Sequence, residues 1–539
     1  MASTFGQIQV LVLLLFVIAA VGLAARRLNV PPSILLVLTG VALALVPGLP
    51  TVRLAPNLVL LLVLPPVVYS SAVAMSWREF RFNLRAISLL AFGCVTFTTI
   101  AAAAAAHWIV GLSWPVGFVL GAIVSPPDAV APLSIARRMQ LPRRILVILE
   151  GEGLANDATA LILYRFAIAA VSAGAFSVGK AAAMFTAIVA GEIVWGIGVG
   201  WLMLRLRRWV HDPQIEILFS ILTPFVAFWP SAHLGGSGVL ATVATGLYVS
   251  WNGLDIISAA TRLQGIFFWD VLIYLIDGLV FLITGLQART LAAGIGSYSL
   301  AELGLSAAAI SGVVILARFA WMFPATYLPR KLIPAIARSD PSPPWQWPFV
   351  LAFTGVRGIV SLAAALAIPL ETQVGQPFPD RDLILFLTFS VILVTLVGQG
   401  VTLPAVIRML GLTHAGRREQ RADRTEEIGA RRQAIESAIE RLDRLAAERN
   451  LPQDMVHALR AQQRDRLKHF EHGRDRADGD HEHGRLRDEI ELLLIAAERD
   501  RVNELYRQGA LKDEARRRIE RELDLRDASL ADHPHEGDG

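Results

Sequence analysis

Several ionisable side chains lie in the stretch from Gly121 to Arg165, which is otherwise apolar enough to cross a membrane. Outside the basic loop at 137–144, they include Asp128, Glu150, Glu152, Asp157 and Arg165. A charged side chain at membrane depth costs about 3 kcal/mol or more, so it is a functional candidate by default. Carboxylates dominate this set, and the chemistry they suit best is the binding of cations and protons.

Pro126 and Pro127 break the first half of the stretch, because proline lacks the amide hydrogen that a helix needs. The two carbonyls that lose their helical donors are tolerated inside a membrane only where protein or a water-filled cavity satisfies them. Beside them lie the Ser125 hydroxyl and the Asp128 carboxylate, and hard cations prefer oxygen ligands of this kind. The break therefore predicts half of a cation site.

Asp157 lies near the middle of the next apolar segment, at a depth similar to that of Asp128 in its own. Two aspartates at one depth on successive helices can face one cavity, where a charge is unstable until a cation or a proton neutralises it. Cation and proton then compete for the same oxygens, which couples their movements if only the loaded protein reorients. Glu152 and Asn156 are four residues apart and share a helix face. Arg165, two turns beyond Asp157, is close enough to the outer interface to snorkel.

Membrane-spanning helices must position these groups. Of the 539 residues, 54% are hydrophobic and 18% are charged, against roughly 25% charged in soluble domains. One span of the bilayer core takes about 20 apolar residues, and we predict an all-α polytopic membrane protein with about thirteen spans. The segments are 7–25, 31–47, 56–75, 86–107, 115–136, 145–171, 180–204, 215–229, 235–250, 264–287, 300–327, 348–369 and 382–408. We interpret the first as a retained span and not as a signal peptide.

Basic residues in the connecting loops predict the orientation of the chain. Loops after odd-numbered spans contain 16 Arg and Lys, whereas loops after even-numbered spans contain 4. Because positive loops face the cytoplasm, the N-terminus is predicted outside and the C-terminus inside a plasma (bacterial inner) membrane. The same distribution argues against a nucleic-acid partner despite the net charge of +4. Cys94 is the only cysteine in the sequence, which excludes an intrachain disulfide.

A second helix break is predicted in span twelve, where Gly355 and Gly358 flank Arg357. Paired interruptions in corresponding positions of two halves are typical of transporters built from inverted repeats. With span seven as a linker, spans one to six and eight to thirteen form two inverted repeats. The discontinuous helices are then the fifth and the twelfth of the chain.

Other charged residues in the predicted spans also need partners. Arg318 and Arg357 are both candidates to pair with Glu152, and Arg318 is slightly favoured. Asp277, central in span ten, either pairs with an arginine or lines the cavity. Glu192 lies among small residues that indicate close helix packing, so its predicted role is structural.

The composition changes after Leu412. We predict a transmembrane domain at 1–412 and a charged, helical, cytoplasmic region at 413–539 with a regulatory or assembly role. Leu and Ile at helical spacing in 485–501 and 513–525 predict amphipathic helices, whereas 469–483 is predicted to be a flexible linker. The region contains 8 of the 11 histidines, so proton sensing is an alternative to a purely structural role, as is metal binding by His481 and His483.

The ordered motifs of the chain resemble those of the cation:proton antiporter-1 family, the NhaP and NHE type of sodium/proton exchangers. They are LPPVVY at 64–69, GAIVSPPDAVA at 121–131, ILEGEGLANDATAL at 148–161, Arg318, GVRGIVSLAAAL at 355–366 and VGQGVTLP at 397–404. The resemblance covers 7–412 and implies a homodimer with a mobile core that works by elevator-like alternation. It implies that Asp157 is the main carboxylate for Na⁺ and H⁺, with Asn156 as its structural partner and Asp128 beside it. It also implies electroneutral exchange, a role in pH regulation and no cofactor.

Three positions depart from this family pattern. Pro127 stands where many members have threonine, Gly153 stands where many have serine, and Ser70 stands where some have an acidic residue. These departures leave the choice among Na⁺, Li⁺ and K⁺ open. Ser70 is retained as a residue of the cavity.

The alternatives are a K⁺/H⁺ exchanger of the same fold and an ion channel. A membrane-embedded hydrolase would need a metal set or a nucleophile with its base, and the sequence contains neither an HExxH nor a Gly-x-Ser-x-Gly motif. A function as a scaffold or receptor would not explain the carboxylates in the predicted spans. The chain is therefore predicted to be a transporter and not an enzyme.

Overall fold

The computed structural model describes residues 2–28, 30–47, 58–173, 178–210, 212–253, 256–293, 299–372, 375–475, 481–508, 511 and 513–531. The chain forms two compact units, Met1–Arg417 and Arg418–Gly539. Throughout the described residues the regular structure is helical, apart from one isolated β-bridge between Glu371 and Pro377. The predicted all-α class is confirmed.

The first unit begins with helices that match the first six predicted spans. They are α1 (Ala2–Leu28), α2 (Pro32–Ala44), α3 (Val59–Ala74), α4 (Trp77–Val110), α5 (Trp114–Val124), α6 (Val130–Arg138) and α7 (Arg143–Ala173). Helices α5 and α6 are the two parts of the broken fifth span. Apolar side chains line these helices almost continuously because both lipid and neighbouring helices contact them.

The remaining helices of this unit match spans seven to thirteen, except for two six-residue helices that lie in connecting segments. They are α8 (Val178–Arg207), α9 (Pro213–His233), α10 (Val239–Asn252), α11 (Ala259–Leu286), α12 (Ala288–Ala293), α13 (Leu300–Leu332), α14 (Pro334–Ser339), α15 (Gln346–Phe353), α16 (Ile359–Leu366) and α17 (Arg381–Met409). Helices α15 and α16 are the two parts of the broken twelfth span, so both predicted discontinuities are confirmed. Eight of the described helices are long and apolar enough to cross a membrane unaided.

Close packing in the first unit depends on small residues. Gly40 of α2 lies against the Leu282 carbonyl and Gly285 of α11, and a side chain at either glycine would collide with the opposite backbone. Such contacts let helix backbones approach closely where lipid gives no hydrophobic drive for association. The core around α5 and α7 is built similarly, since Gly121 lies against the Thr99 carbonyl of α4.

The tail forms α18 (Leu412–Arg449), α19 (Gln453–Asp475), α20 (His481–Arg507) and α21 (Asp513–Ala531). The predicted amphipathic helices are confirmed, and Ile495 and Leu523 form their small core. The predicted linker is wrong for 469–475 and 481–483, which are helical, while 476–480 lie outside the described residues. The side chains of His481 and His483 also lie outside them, so their predicted metal site is untested.

Candidate functional site

The two broken helices meet at their breaks. The backbone N–H of Asp128, between α5 and α6, donates to the Val356 carbonyl, between α15 and α16, at 2.7 Å. A helix end leaves carbonyls and amides without helical partners, and here each break supplies a partner for the other. The breaks therefore stabilise each other inside the protein.

Asp128 is held partly by backbone. Its Oδ1 accepts from the backbone N–H of Val130, the first residue of α6, at 2.9 Å. Its Oδ2 is buried and has no hydrogen-bond partner among the described residues. Gly358 lies directly against this carboxylate, and a Cβ there would overlap it. The φ of Gly358 is −137°, so the reason for glycine is the close approach of Asp128 and not the backbone conformation.

A cavity of about 130 Å³ opens beside the breaks. Its carboxylates are Asp128, Glu150, Asp157 and Asp277. No basic side chain belongs to its lining as far as the chain is described. Carboxylates in a low-dielectric site attract cations and protons strongly.

Asp157 is one of four residues of α7 that line the cavity. Glu150, Gly153, Leu154 and Asp157 all line it, and their spacing of three, four and seven places them on one helix face. Glu150 also accepts from Arg137 Nη2 at 3.3 Å. Sequence reasoning assigned no role to Glu150, although its seven-residue offset from Asp157 carried the signal.

Asn156 contacts the proline break and not the cavity. Its Nδ2 donates to the Pro127 carbonyl at 2.5 Å, and its side chain is fully buried. The Pro127 carbonyl lies in the non-helical break and is thus satisfied by the residue that precedes Asp157 in sequence. This contact fixes α7 against the break in α5 and α6, and so fixes Asp157 relative to Asp128.

Of the two arginines considered for Glu152, the structure pairs it with Arg318. Nη1 and Nη2 of Arg318 contact the two Glu152 oxygens at 2.5 and 2.8 Å, and both side chains are about 2% exposed or less. Arg318 also donates to the Leu351 carbonyl at 3.0 and 2.9 Å, near the end of α15. The pair therefore ties α7 and α13 to the second break.

Arg357 lies apart from this ion pair. Its backbone N–H donates to Thr395 Oγ1 at 2.9 Å, and its side chain is buried. The Nε and Nη1 atoms have no hydrogen-bond partner in the described part of the chain. The structure therefore does not bring Arg357 to Glu152.

Two predicted hydroxyl ligands lie elsewhere. Ser125 Oγ donates to the Ala122 carbonyl at 3.2 Å, which satisfies the end of α5. Ser71 lines the cavity, whereas Ser70, one residue earlier on α3, is not in its lining. One residue is a rotation of about 100° on a helix, enough to move a side chain to another face. Asp277, by contrast, lines the cavity.

Two further charged residues organise the start of α10. The Glu192 carboxylate accepts from the Gly238 N–H at 2.9 Å and the Leu240 N–H at 3.1 Å, as well as from the Ser237 hydroxyl. A carboxylate at a helix N-terminus satisfies free amides and opposes the helix dipole. Arg165, which is exposed, donates from Nη1 to the Gly236 carbonyl at 2.6 Å, three residues before α10 begins.

The described residues contain no group of three His, Cys, Asp or Glu side chains close enough to hold a metal ion.

Comparisons with known proteins identify the family of this chain and several relatives. The chain matches the family described as "Sodium/hydrogen exchanger, transmembrane" over residues 11–409. An uncharacterised Na(+)/H(+) exchanger of Mycobacterium tuberculosis is 35% identical over 534 residues, covering 98% of this chain and 97% of the relative. The sodium, potassium, lithium and rubidium/H(+) antiporter of Bacillus pumilus is 33% identical over 387 residues, covering 70% of this chain and 57% of that protein.

A solved structure shares the fold. The sodium proton antiporter MjNhaP1 of Methanocaldococcus jannaschii aligns with a TM-score of 0.59 at 18% sequence identity. The alignment covers 75% of this chain and 98% of that chain. At this identity the likeness establishes the arrangement of helices alone.

Proposed function

This chain belongs to the sodium/hydrogen exchanger family of membrane antiporters, and we propose that it exchanges Na⁺ for H⁺ with Asp157 as the carboxylate that binds both. Asp128 and Asp277 assist from the same cavity. The observation that carries the proposal is the cavity beside the two helix breaks, whose lining includes four carboxylates and, among the described residues, no basic side chain.

Coupling follows from charge neutralisation. An aspartate in a cavity walled by apolar side chains is unstable as a free anion, and either a cation or a proton neutralises it. If the core reorients only when Asp157 is neutralised, each cation moved in one direction requires a proton moved in the other. Exchange of one cation for one proton is electroneutral, and the neutral Asn156 adds no second charge beside Asp157.

The helix breaks give the mobile core its rigidity. Asn156 binds the first break at Pro127, and Arg318 binds the end of α15 just before the second. The Glu152–Arg318 pair cross-links these two attachments. We infer that the breaks and α7 move as one body during alternation.

Selectivity among monovalent cations is expected to be modest. Gly153 packs against Ala129, whose Cβ would lie 2.6 Å from a Cβ at 153, so no serine hydroxyl reaches the ion from there. The Bacillus pumilus relative is named for sodium, potassium, lithium and rubidium. A K⁺/H⁺ exchanger of the same architecture is therefore the second candidate.

We also propose a domain organisation, a membrane orientation and an oligomeric state for this transporter. Residues 1–412 form the transport domain, with the N-terminus outside and the C-terminus cytoplasmic, and two copies form a homodimer. Residues 413–539 form a cytoplasmic region that regulates or assembles the dimer, including the response to pH. The basis for the orientation is the 16 to 4 distribution of basic loop residues.

The decisive experiment is exchange in everted membrane vesicles, followed by dequenching of a pH-sensitive dye after addition of Na⁺, Li⁺ or K⁺. Asp157→Asn keeps the shape of the side chain and is expected to abolish exchange. Asp277→Asn should weaken apparent cation affinity, whereas Asp270→Asn, an exposed position two turns away on α11, serves as the matched control. A full Na⁺ response in Asp157→Asn would sink the assignment.

Two further measurements test the finer points. An imposed membrane potential should leave the rate unchanged if exchange is electroneutral; a potential-dependent rate excludes one-for-one stoichiometry, and Na⁺ uptake without proton movement indicates a channel.

For the tail, truncation after Arg417 respects the boundary of the first compact unit. We expect the truncated protein to retain exchange with a shifted pH profile or weaker dimer, and complete loss in a folded truncation contradicts a regulatory role.

A further inference from the structure

Three arginines contact one carboxylate near the N-terminal end of α7. Asp340 contacts Arg85 at 2.5 Å, Arg144 at 2.8 Å and Arg330 at 2.7 Å. The arginines come from α4, the start of α7 and the end of α13. Three positive charges against one negative charge leave the cluster with an excess of two.

The three arginines line a cavity of about 40 Å³. Its wall is otherwise largely apolar and includes Leu89, Leu90, Ile148, Met322, Trp347 and Leu351. No acidic side chain is part of that lining within the described residues. A cavity of this size has room for about three water molecules, which is similar to the oxygens of one phosphate group.

The three arginines differ in how many of their side-chain nitrogens already donate hydrogen bonds to the protein. Arg330 uses all three side-chain nitrogens, on Asp340 and on the Thr326 carbonyl. Among the described residues, Arg85 donates only through Nη2, to Asp340, while Arg144 donates through Nε to Asn83 and its Nη2 lies 2.8 Å from Asp340 Oδ1. Arg85 and Arg144 therefore keep N–H donors for a further anion, at side-chain exposures of 31% and 23%.

The position of the cluster is that of a membrane interface. It lies at the ends of spans four, six and eleven, next to loops of the strongly basic set. Trp347 lines the cavity, Trp345 two residues earlier is 54% exposed, and the Tyr327 hydroxyl donates to the Pro343 carbonyl at 3.2 Å. Tryptophan and tyrosine concentrate at the headgroup level of a bilayer.

We propose that this cluster binds the phosphate of an anionic phospholipid, with the lipid's apolar part against the wall formed by α4, α13 and α15. The forked guanidinium groups of arginine match the oxygens of phosphate, and basic pockets between membrane helices bind acidic headgroups. The apolar wall favours a lipid over free phosphate, which would gain nothing from it. The site is separate from the cation cavity and does not depend on the proposed exchange.

Thermal unfolding of the purified full-length protein in detergent tests the site directly. Dioleoylphosphatidylglycerol should raise the unfolding temperature saturably, whereas dioleoylphosphatidylcholine and inorganic phosphate should not. Arg85→Gln and Arg144→Gln should each weaken the apparent lipid affinity about fivefold. Arg81→Gln, an exposed position one turn before Arg85, is the matched control and should bind like wild type.

Asp340→Asn separates lipid binding from a purely structural clamp. Without the carboxylate the cluster gains a net positive charge, so the lipid-dependent rise in unfolding temperature should be larger than in wild type, even if the lipid-free protein is less stable. An equal rise with the phosphatidylcholine, saturation by inorganic phosphate, or unchanged affinity in both arginine variants would overturn the proposal.

Discussion

Replacing Gly358 by alanine adds one methyl group at the point where the second break touches Asp128. A Cβ there would lie 2.5 Å from Asp128 Cγ, whereas ordinary contacts begin at 3.4 Å. The carboxylate must therefore withdraw by at least about 0.9 Å, and its Oδ2 atom, which lies nearer still, by more. Because the φ of −137° suits any residue, the substitution acts through this contact alone.

The expected effect is a large loss of exchange with a small loss of stability. A misplacement of about 1 Å at a reacting group can reduce a rate about 100-fold, while over-packing one methyl typically costs about 1 to 3 kcal/mol. We therefore expect Gly358→Ala to be made and folded, with initial exchange rates reduced about 10- to 100-fold in everted vesicles.

A matched control separates this effect from a general response to alanine. Gly312 lies on α13, the helix of Arg318, and a Cβ there meets nothing within 4 Å. Gly312→Ala should exchange at the wild-type rate. Exchange by Gly358→Ala at the wild-type rate, with an unchanged half-maximal Na⁺ concentration, would refute the close role of Asp128 in ion binding.

The remaining predictions concern structural contacts, all measured by thermal unfolding of the purified protein. Arg318→Met should cost about 3 to 5 kcal/mol because it leaves Glu152 buried without its partner, and adding Glu152→Gln should recover part of that loss; an additive double variant contradicts the pairing. Glu192→Gln should cost about 1 to 2 kcal/mol at the start of α10, with exchange retained, and an unchanged melting temperature contradicts the capping role. Gly416→Leu should destabilise the junction between the first unit and α18, because a side chain there overlaps the Gln140 carbonyl; wild-type stability would show that this contact is dispensable.

The first turns of α18 contact the turn between α6 and α7. Gln140 lies in the turn between α6 and α7, with a φ of 53°, and its side-chain oxygen accepts from Arg417 Nε at 3.1 Å. Leu412 is buried in the same core as Leu141. This turn joins α6, which follows Asp128, to α7, which carries Asp157.

Much of the site could be predicted from the sequence because its signals are local. Proline has no amide hydrogen wherever it lies, so Pro126 and Pro127 specify a break in any fold that puts them in a helix. The glycines around Arg357 are a similar local signal. A carboxylate such as Asp157 in the middle of an apolar segment identifies itself by composition alone.

Contacts between distant segments could not be predicted in the same way. Glu152 and Arg318 are 166 residues apart, and the sequence offered Arg357 as almost equally suitable. The choice depends on how α13 and α15 are rotated against α7, which many weak packing contacts determine together. The same rotation turns Ser71 and not Ser70 toward the cavity.

What the sequence alone determined was the helical membrane architecture, the two breaks and the identity of the central carboxylates, since each follows from residue type and spacing along one segment. What only the tertiary structure decided was the partner of each buried polar group: Asn156 on the Pro127 carbonyl, Arg318 on Glu152, and Asp277 in the cavity. A buried polar group must find its partner among whatever side chains packing brings within about 3 Å. Distances on that scale are set by the folded protein as a whole and not by any one stretch of its sequence.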